Sequence, residues 1–225
     1  MTATAYGLYQ IAGAVVAVII LQLLLVTNAV VLSKESRRRI QHATTGQLMI
    51  VVSFILPLPV CTAALFAGIA LLLYVYNIHN PWYKKTFGPL LRPSEHDKLP
   101  GAFWFLVGTW ITVMLVCVVG VIDVDIGRYA ILCLSYADPM AAWVGSSMSS
   151  PRVFGTKATL AGCSASFVTA CAIGAAVLGT GDRHALEIGM GALACTLAEC
   201  VPLGNDNLLI PIGTAVAVQL VRLYR

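Results

Sequence analysis

Three carboxylates stand inside stretches that are otherwise apolar: Asp138, Glu187 and Glu199. An ionised group at membrane depth costs about 2.5–3.5 kcal/mol on insertion scales, so each needs a reason to be there. Asp138 sits in Leu134-Ser135-Tyr136-Ala137-Asp138-Pro139-Met140-Ala141, where Pro139 frees a backbone carbonyl nearby. Backbone and carboxylate oxygens converging in this way suit a cation or water. The plainer alternative is an Asp bonded to a neighbouring helix. Glu199 closes an apolar run, and Asp206-Asn207 follows between Pro202 and Pro211. Two acids and a carboxamide around one short turn form an all-oxygen set, which Mg2+ prefers when it bridges phosphates. An ordinary polar turn would use the same residue types. Glu187, near the end of its run, reads as an interfacial residue.

The opposite charge is concentrated in Arg37-Arg38-Arg39, with His42 three residues on. Such clusters beside a membrane helix commonly set topology or attract anionic lipid. Here His42 and the turn Thr44-Thr45-Gly46 are expected to open the next helix, and helix N-termini attract phosphate. Lys157, in Phe154-Gly155-Thr156-Lys157-Ala158-Thr159, is placed in the same way. The first Gly of a G-x-x-x-x-G-K-[ST] loop is missing, so a nucleotide here must be held by a metal and scattered cations. His79, His96 and His184 occur singly, without metal-ligand spacing, and read as solvated. The seven cysteines form no C-x-x-C pair and read as small packing residues inside helices.

These residues are carried by an unusually apolar chain. Of its 225 residues 59% are apolar and 11% charged, with a formal net charge of +4. A soluble domain carries about 45–50% apolar and about 25% charged residues. Too few charges remain to clothe a water-facing surface, which excludes a soluble enzyme, a disordered chain and a nucleic-acid binder. The expected fold class is an all-α polytopic membrane bundle. Apolar runs cover residues 8–32, 46–76, 101–122, 126–147, 159–180, 185–201 and 208–221. As one helix the second run would measure about 46 Å, beyond the ~30 Å hydrocarbon core. It contains Pro57 and Pro59, so it is expected to break into two segments. The total is about seven to eight transmembrane segments. No basic stretch precedes the first run, which is too long for a signal peptide and is kept as a membrane helix. One membrane domain, 1–225, is expected, with a first helix at 1–33 and a core at 34–212.

The positive-inside rule places Lys34 and Arg37–Arg39 in the cytoplasm. Counting the broken run as two crossings then puts Lys84, Lys85, Arg92 and Lys98 on the same side, with Arg152, Lys157 and the turn at Asp206. The C-terminal Arg222 and Arg225 fall outside, against the rule.

Together these motifs resemble the CTP-dependent lipid kinase family: the CTP-dependent diacylglycerol kinases, dolichol kinase, and the phytol and farnesol kinases. Phosphatidate cytidylyltransferase is more distantly similar. Arg38-Arg39-Ile40-Gln41-His42 with Gly46 looks like the family's basic pair, His and Gly after the first helix. Arg92, Glu95 and the stretch from Gly101 to Gly108 look like its acidic-then-Gly segment. Asp138, Ala141 and Gly145 look like its D-x-x-A-x-x-x-G signature, and Glu199, Pro202, Asp206, Asn207 and Pro211 like its closing E…DN…P element. Two positions depart: Ser146 stands where members usually carry Arg, and Lys157 is spaced one residue differently from Gly162.

The resemblance implies transfer of the γ-phosphate of CTP to a membrane lipid hydroxyl, best matched by diacylglycerol going to phosphatidate. An isoprenoid alcohol such as phytol, farnesol or a polyprenol is the alternative acceptor. Cytidylyl transfer or small-molecule transport are the alternative activities. It implies Asp138, His42 and Glu199 as catalytic residues, and Arg38, Arg39, Arg152, Lys157 and Gly145 as phosphate or nucleotide contacts. Asp138, Asp206 and Asn207 would hold Mg2+, with Arg152 standing in for the missing Arg. The implied location is the endoplasmic reticulum membrane, with the active site facing the cytoplasm.

Overall fold

Backbone N–H and C=O groups shielded from water must pair within their own segment, and this chain pairs them in helices. The computed structural model describes residues 33–77, 99–201 and 205–225, with Gly13, Val16, Ile20, Leu21 and Leu24 at the N-terminal end. Among these residues no strand forms; a single antiparallel bridge joins Arg152 to Thr159. The helices are α1 (Lys34–Ser53), α2 (Leu58–Asn77), α3 (Gly101–Cys117), α4 (Val124–Leu132), α5 (Asp138–Ser147), α6 (Leu160–Leu178), α7 (Asp182–Cys200) and α8 (Asp206–Leu223). A π-helical turn, Cys133–Ala137, joins α4 to α5 without a break, so the three form one rod. Most of the expected first helix lies outside the described residues, as do Pro202 and the loop bearing His79, Lys84, Lys85, Arg92, Glu95, His96 and Lys98.

The fold class is all-α, and many large apolar side chains face outward, among them Phe54, Phe66, Leu71, Val168 and Leu223. A lipid-facing exterior accounts for that surface. The span count is lower than expected. Among the described residues α2, α6 and α8 are long and apolar enough to cross a membrane, and α3 is apolar but shorter. Part of the difference arises where helices take in charge, since α1 carries the Arg cluster and α7 carries Asp182, Arg183, Glu187 and Glu199. Part arises because the rod is divided into short elements and the expected first helix lies mostly outside the described residues.

The break in the second apolar run falls at the prolines. Helix α1 ends at Ser53, and α2 begins at Leu58 with Val60 N–H and Cys61 N–H donating to Pro57 O. The start of α1 corrects the reading of its basic cluster. The Ser33 side chain accepts from Ser36 N–H, and Glu35 in the first turn pairs with Arg38 and Arg39 three and four residues on. That cap and those pairs draw Arg37–Arg39 into the helix. His42 and Thr44-Thr45-Gly46 therefore lie inside α1, not at its N-terminus.

The rod makes the core. Ile126, Tyr129, Ala130, Cys133, Leu134 and Ala137 are fully buried, packed on α6, α7 and α8. Pro139 has no N–H to offer, and in a regular helix its ring would collide with the carbonyl of Ser135. The π-turn relieves this by letting Asp138 N–H reach back to Cys133 O, which widens the helix and shifts the register of α5. At this turn α1 comes very close. A Cβ on Gly46 would lie 1.6 Å from Ser135 Oγ and 2.6 Å from its Cβ, so only glycine fits.

The helices alternate in direction. Arg39 at the start of α1 reaches Ala142 and Ser146 in α5, while Ser53 at its other end receives Arg128 from α4. The start of α3, the end of the rod, the start of α6, the end of α7 and the start of α8 therefore gather at one end. The other end is closed by ion pairs. Arg222 of α8 binds Asp123 at 2.9 Å, Asp125 at 3.2 Å and the buried Glu187 at 2.7 Å, and His184 Nδ1 lies 3.4 Å from Glu187. Glu187 is thus an interior residue, and His184 is half-buried against it, which corrects both sequence readings. The misplaced C-terminal Arg222 is explained too, since three carboxylates neutralise it.

Gly46→Ala should destabilise the protein by about 1–3 kcal/mol through overpacking. Its melting temperature should fall well below that of Gly189→Ala, whose Cβ meets nothing within 4 Å. Arg222→Met strands the Glu187 charge and should cost toward the lower end of ~3–5 kcal/mol, because the pair is partly solvated. Adding Glu187→Gln should restore most of the loss in the same melting experiment.

Candidate active site

A cavity of about 870 Å3 opens at the gathered ends. All ten residues singled out as site candidates line it: Arg38, Arg39 and His42 from α1; Asp138 and Gly145 from α5; Arg152 and Lys157 from the α5–α6 loop; Glu199 from α7; and Asp206 and Asn207 from α8. Three helices, α3, α6 and α8, present their N-termini to it through Gly101, Thr159 and Asp206. Their unpaired N–H groups and dipoles favour an anion there.

The acidic side of the cavity is closely set. Glu199 lies close to Asp138, and both Asp138 and Asp206 are near enough to act on it electrostatically. Neighbouring carboxylates of this kind need a proton or a cation between them. The Glu199 Oε1 atom is buried and has no hydrogen-bond partner. His42 Nε2 is likewise buried without one, 3.6 Å from Asp138 Oδ2, and its ring meets Phe105 edge-on at 4.4 Å between centroids. Lys157 Nζ sits 2.5 Å from Asp206 Oδ2. Asn207 is engaged differently: its Nδ2 donates to Gly101 O at 2.9 Å, tying α8 to α3. Among the described residues no group of three or more His, Cys, Asp and Glu is arranged as a ready-made metal site.

The basic side is partly engaged. Arg38 pairs with Glu35 at 3.1 Å. Arg39 donates to Ala142 O at 3.1 Å and to Ser146 Oγ at 3.4 Å. A guanidinium from α1 therefore stands beside Ser146, the position at which the resemblance expects an Arg. The loop carrying Arg152 and Lys157 is a short hairpin. Leu160 N–H donates to Pro151 O, Val153 N–H to Ala158 O, and Thr156 N–H to Val153 O. Its two central turn residues, Phe154 and Gly155, both have positive φ, 49° and 66°. The Thr159 side chain caps α6 by accepting from Gly162 N–H, so Lys157 lies just ahead of that N-terminus. Gly145 and Gly162 form the crossing of α5 and α6. A Cβ on Gly162 would lie 2.8 Å from Ala141 O, and one on Gly145 would lie 2.8 Å from Thr159 Oγ1.

Sequence reasoning missed the apolar side of the cavity. Gly68, Leu71, Leu72 and Val75 of α2 and Ala102, Phe105 and Leu106 of α3 also line it. Apolar residues in an apolar run carry no signal that they face a cavity rather than lipid.

The fold and the cavity define a helical membrane protein with one charged basin, cationic on one side and carboxylate on the other, bordered by hydrocarbon. The chain is similar to CTP-dependent diacylglycerol kinase 1 of Schizosaccharomyces pombe, with 32% identity over 88 residues. That stretch covers 38% of this chain and 37% of the fission-yeast protein, so little more than a third of the relative's length is matched. This similarity supports the likeness to CTP-dependent lipid kinases already read from the motifs. No family model and no solved structure matches the chain.

The cavity's capacity for a divalent ion is testable without substrate. Lys157 competes for Asp206, so Lys157→Met should tighten Mn2+ binding several-fold, read by the electron paramagnetic resonance of free Mn2+. Asp206→Asn should weaken it. Equal affinity in both variants and the parent would separate Asp206 from any metal.

Proposed function

We propose that this protein transfers the γ-phosphate of CTP to a hydroxyl group of a membrane lipid, with diacylglycerol as acceptor and phosphatidate as product. The observation that carries the reading is that cations, carboxylates and three helix N-termini meet in one cavity whose remaining wall is hydrocarbon. Donor and acceptor are suggested by the name of the fission-yeast relative. Phosphoryl transfer asks a protein mainly for alignment and charge neutralisation, and little covalent chemistry.

Arg38, Arg39, Arg152 and Lys157 neutralise the triphosphate, which also meets the N–H groups at the starts of α6 and α8. Arg39, held beside Ser146, fills the role of the Arg that the family usually carries after Gly145. Gly145 lets α6 approach closely, so that this N-terminus reaches the phosphates. The lipid hydroxyl oxygen forms a bond to the γ-phosphorus as the bond to the β–γ bridging oxygen breaks, and CDP leaves with that oxygen. The hydroxyl proton goes to His42, whose Nε2 is buried without a partner, and Asp138 beside it steadies the imidazolium.

The donor set fits Mg2+: it is all oxygen, and a buried Glu199 oxygen without a partner adjoins Asp138. Asp138 and Asp206, with Glu199 and the Asn207 carboxamide, would hold the ion, which supplies neutralisation of phosphate oxygens when bound. The Arg-rich end faces the cytoplasm under the positive-inside rule, and the endoplasmic reticulum is the membrane the family likeness suggests.

The test is to incubate purified protein with Mg2+, labelled CTP or ATP, and a panel of lipid alcohols, then identify products. Phosphatidate with stoichiometric CDP is expected. Pyrophosphate with a CDP-lipid would replace the kinase by a cytidylyltransferase. Asp138→Ala should cut turnover by at least about 100-fold with the melting temperature little changed. Near-normal turnover would remove Asp138 from the reaction.

A further inference from the structure

A second cavity, of about 290 Å3, lies among α1, α2, α3 and α4. Gly68 and Leu106 line both cavities, so the two meet between α2 and α3. Its wall is hydrocarbon, with Met49, Val52, Leu65, Val113, Val116 and Ile131 among the lining residues. Arg128 lines it toward the far end, stacked 3.6 Å over the Phe54 ring and bonded to Ser53 Oγ and O at 3.2 Å. Gly68 marks the junction. Small residues in membrane helices usually allow close packing, yet a Cβ on Gly68 would meet nothing within 4 Å. The absent side chain leaves open space, and that space connects the cavities.

We propose that this second cavity receives one hydrocarbon chain of the lipid whose hydroxyl is phosphorylated, the chain passing Gly68 and running toward Arg128 while the hydroxyl stays at Asp138. The proposal rests on the kinase reading and extends it to how the acceptor is held. Two features select a hydrocarbon chain. The groove shares Gly68 and Leu106 with the charged basin, and its wall offers almost no polar surface. Asp138 and Arg128 are ten residues apart on the rod, about 15 Å at 1.5 Å per residue. The groove therefore runs from the basin toward the end of the bundle at which Arg128 meets Ser53. Fatty acyl and isoprenyl chains share this chemistry, and a series of acceptors separates them.

The full chain in lipid nanodiscs is assayed with diacylglycerols of increasing acyl length, and in parallel with geraniol, farnesol and geranylgeraniol. In the parent, kcat/KM should rise with chain length and level off once the chain spans the groove. Gly68→Leu should lower the long-chain to short-chain ratio of kcat/KM by about tenfold or more. Gly189→Leu, on α7 with nothing within 4 Å of its Cβ, serves as the control and should leave that ratio alone. The series in which the ratio falls identifies the chain as acyl or isoprenyl. A Gly68→Leu enzyme whose ratio matches the parent overturns the proposal. Binding is read separately with a diacylglycerol bearing a diazirine midway along one acyl chain. Photolabelling of Leu65 or Val113 that is lost in Gly68→Leu supports the groove, even if no alcohol accepts phosphate and the kinase reading alone falls. Labelling confined to the outward faces of α2 overturns the groove.

Discussion

A charge withdrawn from water among apolar helices must be compensated where it lies, and the bundle meets this demand differently at its two ends. At the closed end each carboxylate has a cationic partner: Arg222 faces Asp123, Asp125 and Glu187, and His184 adds a further contact to Glu187. That cluster ties α8 to α7 and to the start of the rod. At the open end compensation is incomplete. Glu199 and Asp138 are pressed together, and Glu199 Oε1 and His42 Nε2 have no hydrogen-bond partner. Arg39 gives its terminal donors to a carbonyl and a hydroxyl, with Glu35 at 3.5 Å as its counter-charge. A ligand carrying phosphate oxygens would supply what the fold withholds.

Close backbone approach maintains that unbalanced state. Gly46 lets α1 lie against the π-turn at Ser135, which sets His42 beside Asp138. Gly108 lets α3 touch the start of α8, where a Cβ would come within 2.4 Å of Asn207 O. Gly145 and Gly162 bring α5 and α6 together below the hairpin that carries Arg152 and Lys157. Gly46 and Gly145 each sit two turns from a charged residue, Arg39 and Asp138. The packing that makes a membrane bundle possible thus also fixes the positions of the charges.

The residues of the candidate site were conspicuous in the sequence because charge beside or within an apolar run is rare, and every one of those candidates lines the cavity. The break at Pro57 and the helices after Pro100 were legible for a similar reason, since proline and the ends of apolar runs are local signals. The hidden features depend on distance along the chain or on the lack of contrast. Nothing near Glu187 announces Arg222, 35 residues away, so the carboxylate looked interfacial. The beginning of α1 was hidden because its first turns are polar, and only the Ser33 cap and the Glu35 pairs reveal them as helix. The π-turn has no signature beyond Pro139, and the hydrocarbon wall of α2 reads like any lipid-facing stretch.

The distribution of polar groups also bears on transport as an alternative. A carrier needs polar groups along a path through the bilayer. Here the carboxylates and cations of the basin stop at Asp138, and the space that continues toward Arg128 is a groove lined almost wholly by aliphatic side chains. A hydrated ion or polar solute would lose its solvation in that groove with little to replace it, whereas a hydrocarbon chain would enter with little change of surroundings. On the kinase reading proposed above, a lipid alcohol would place its hydroxyl in the charged half and leave its apolar body in the other.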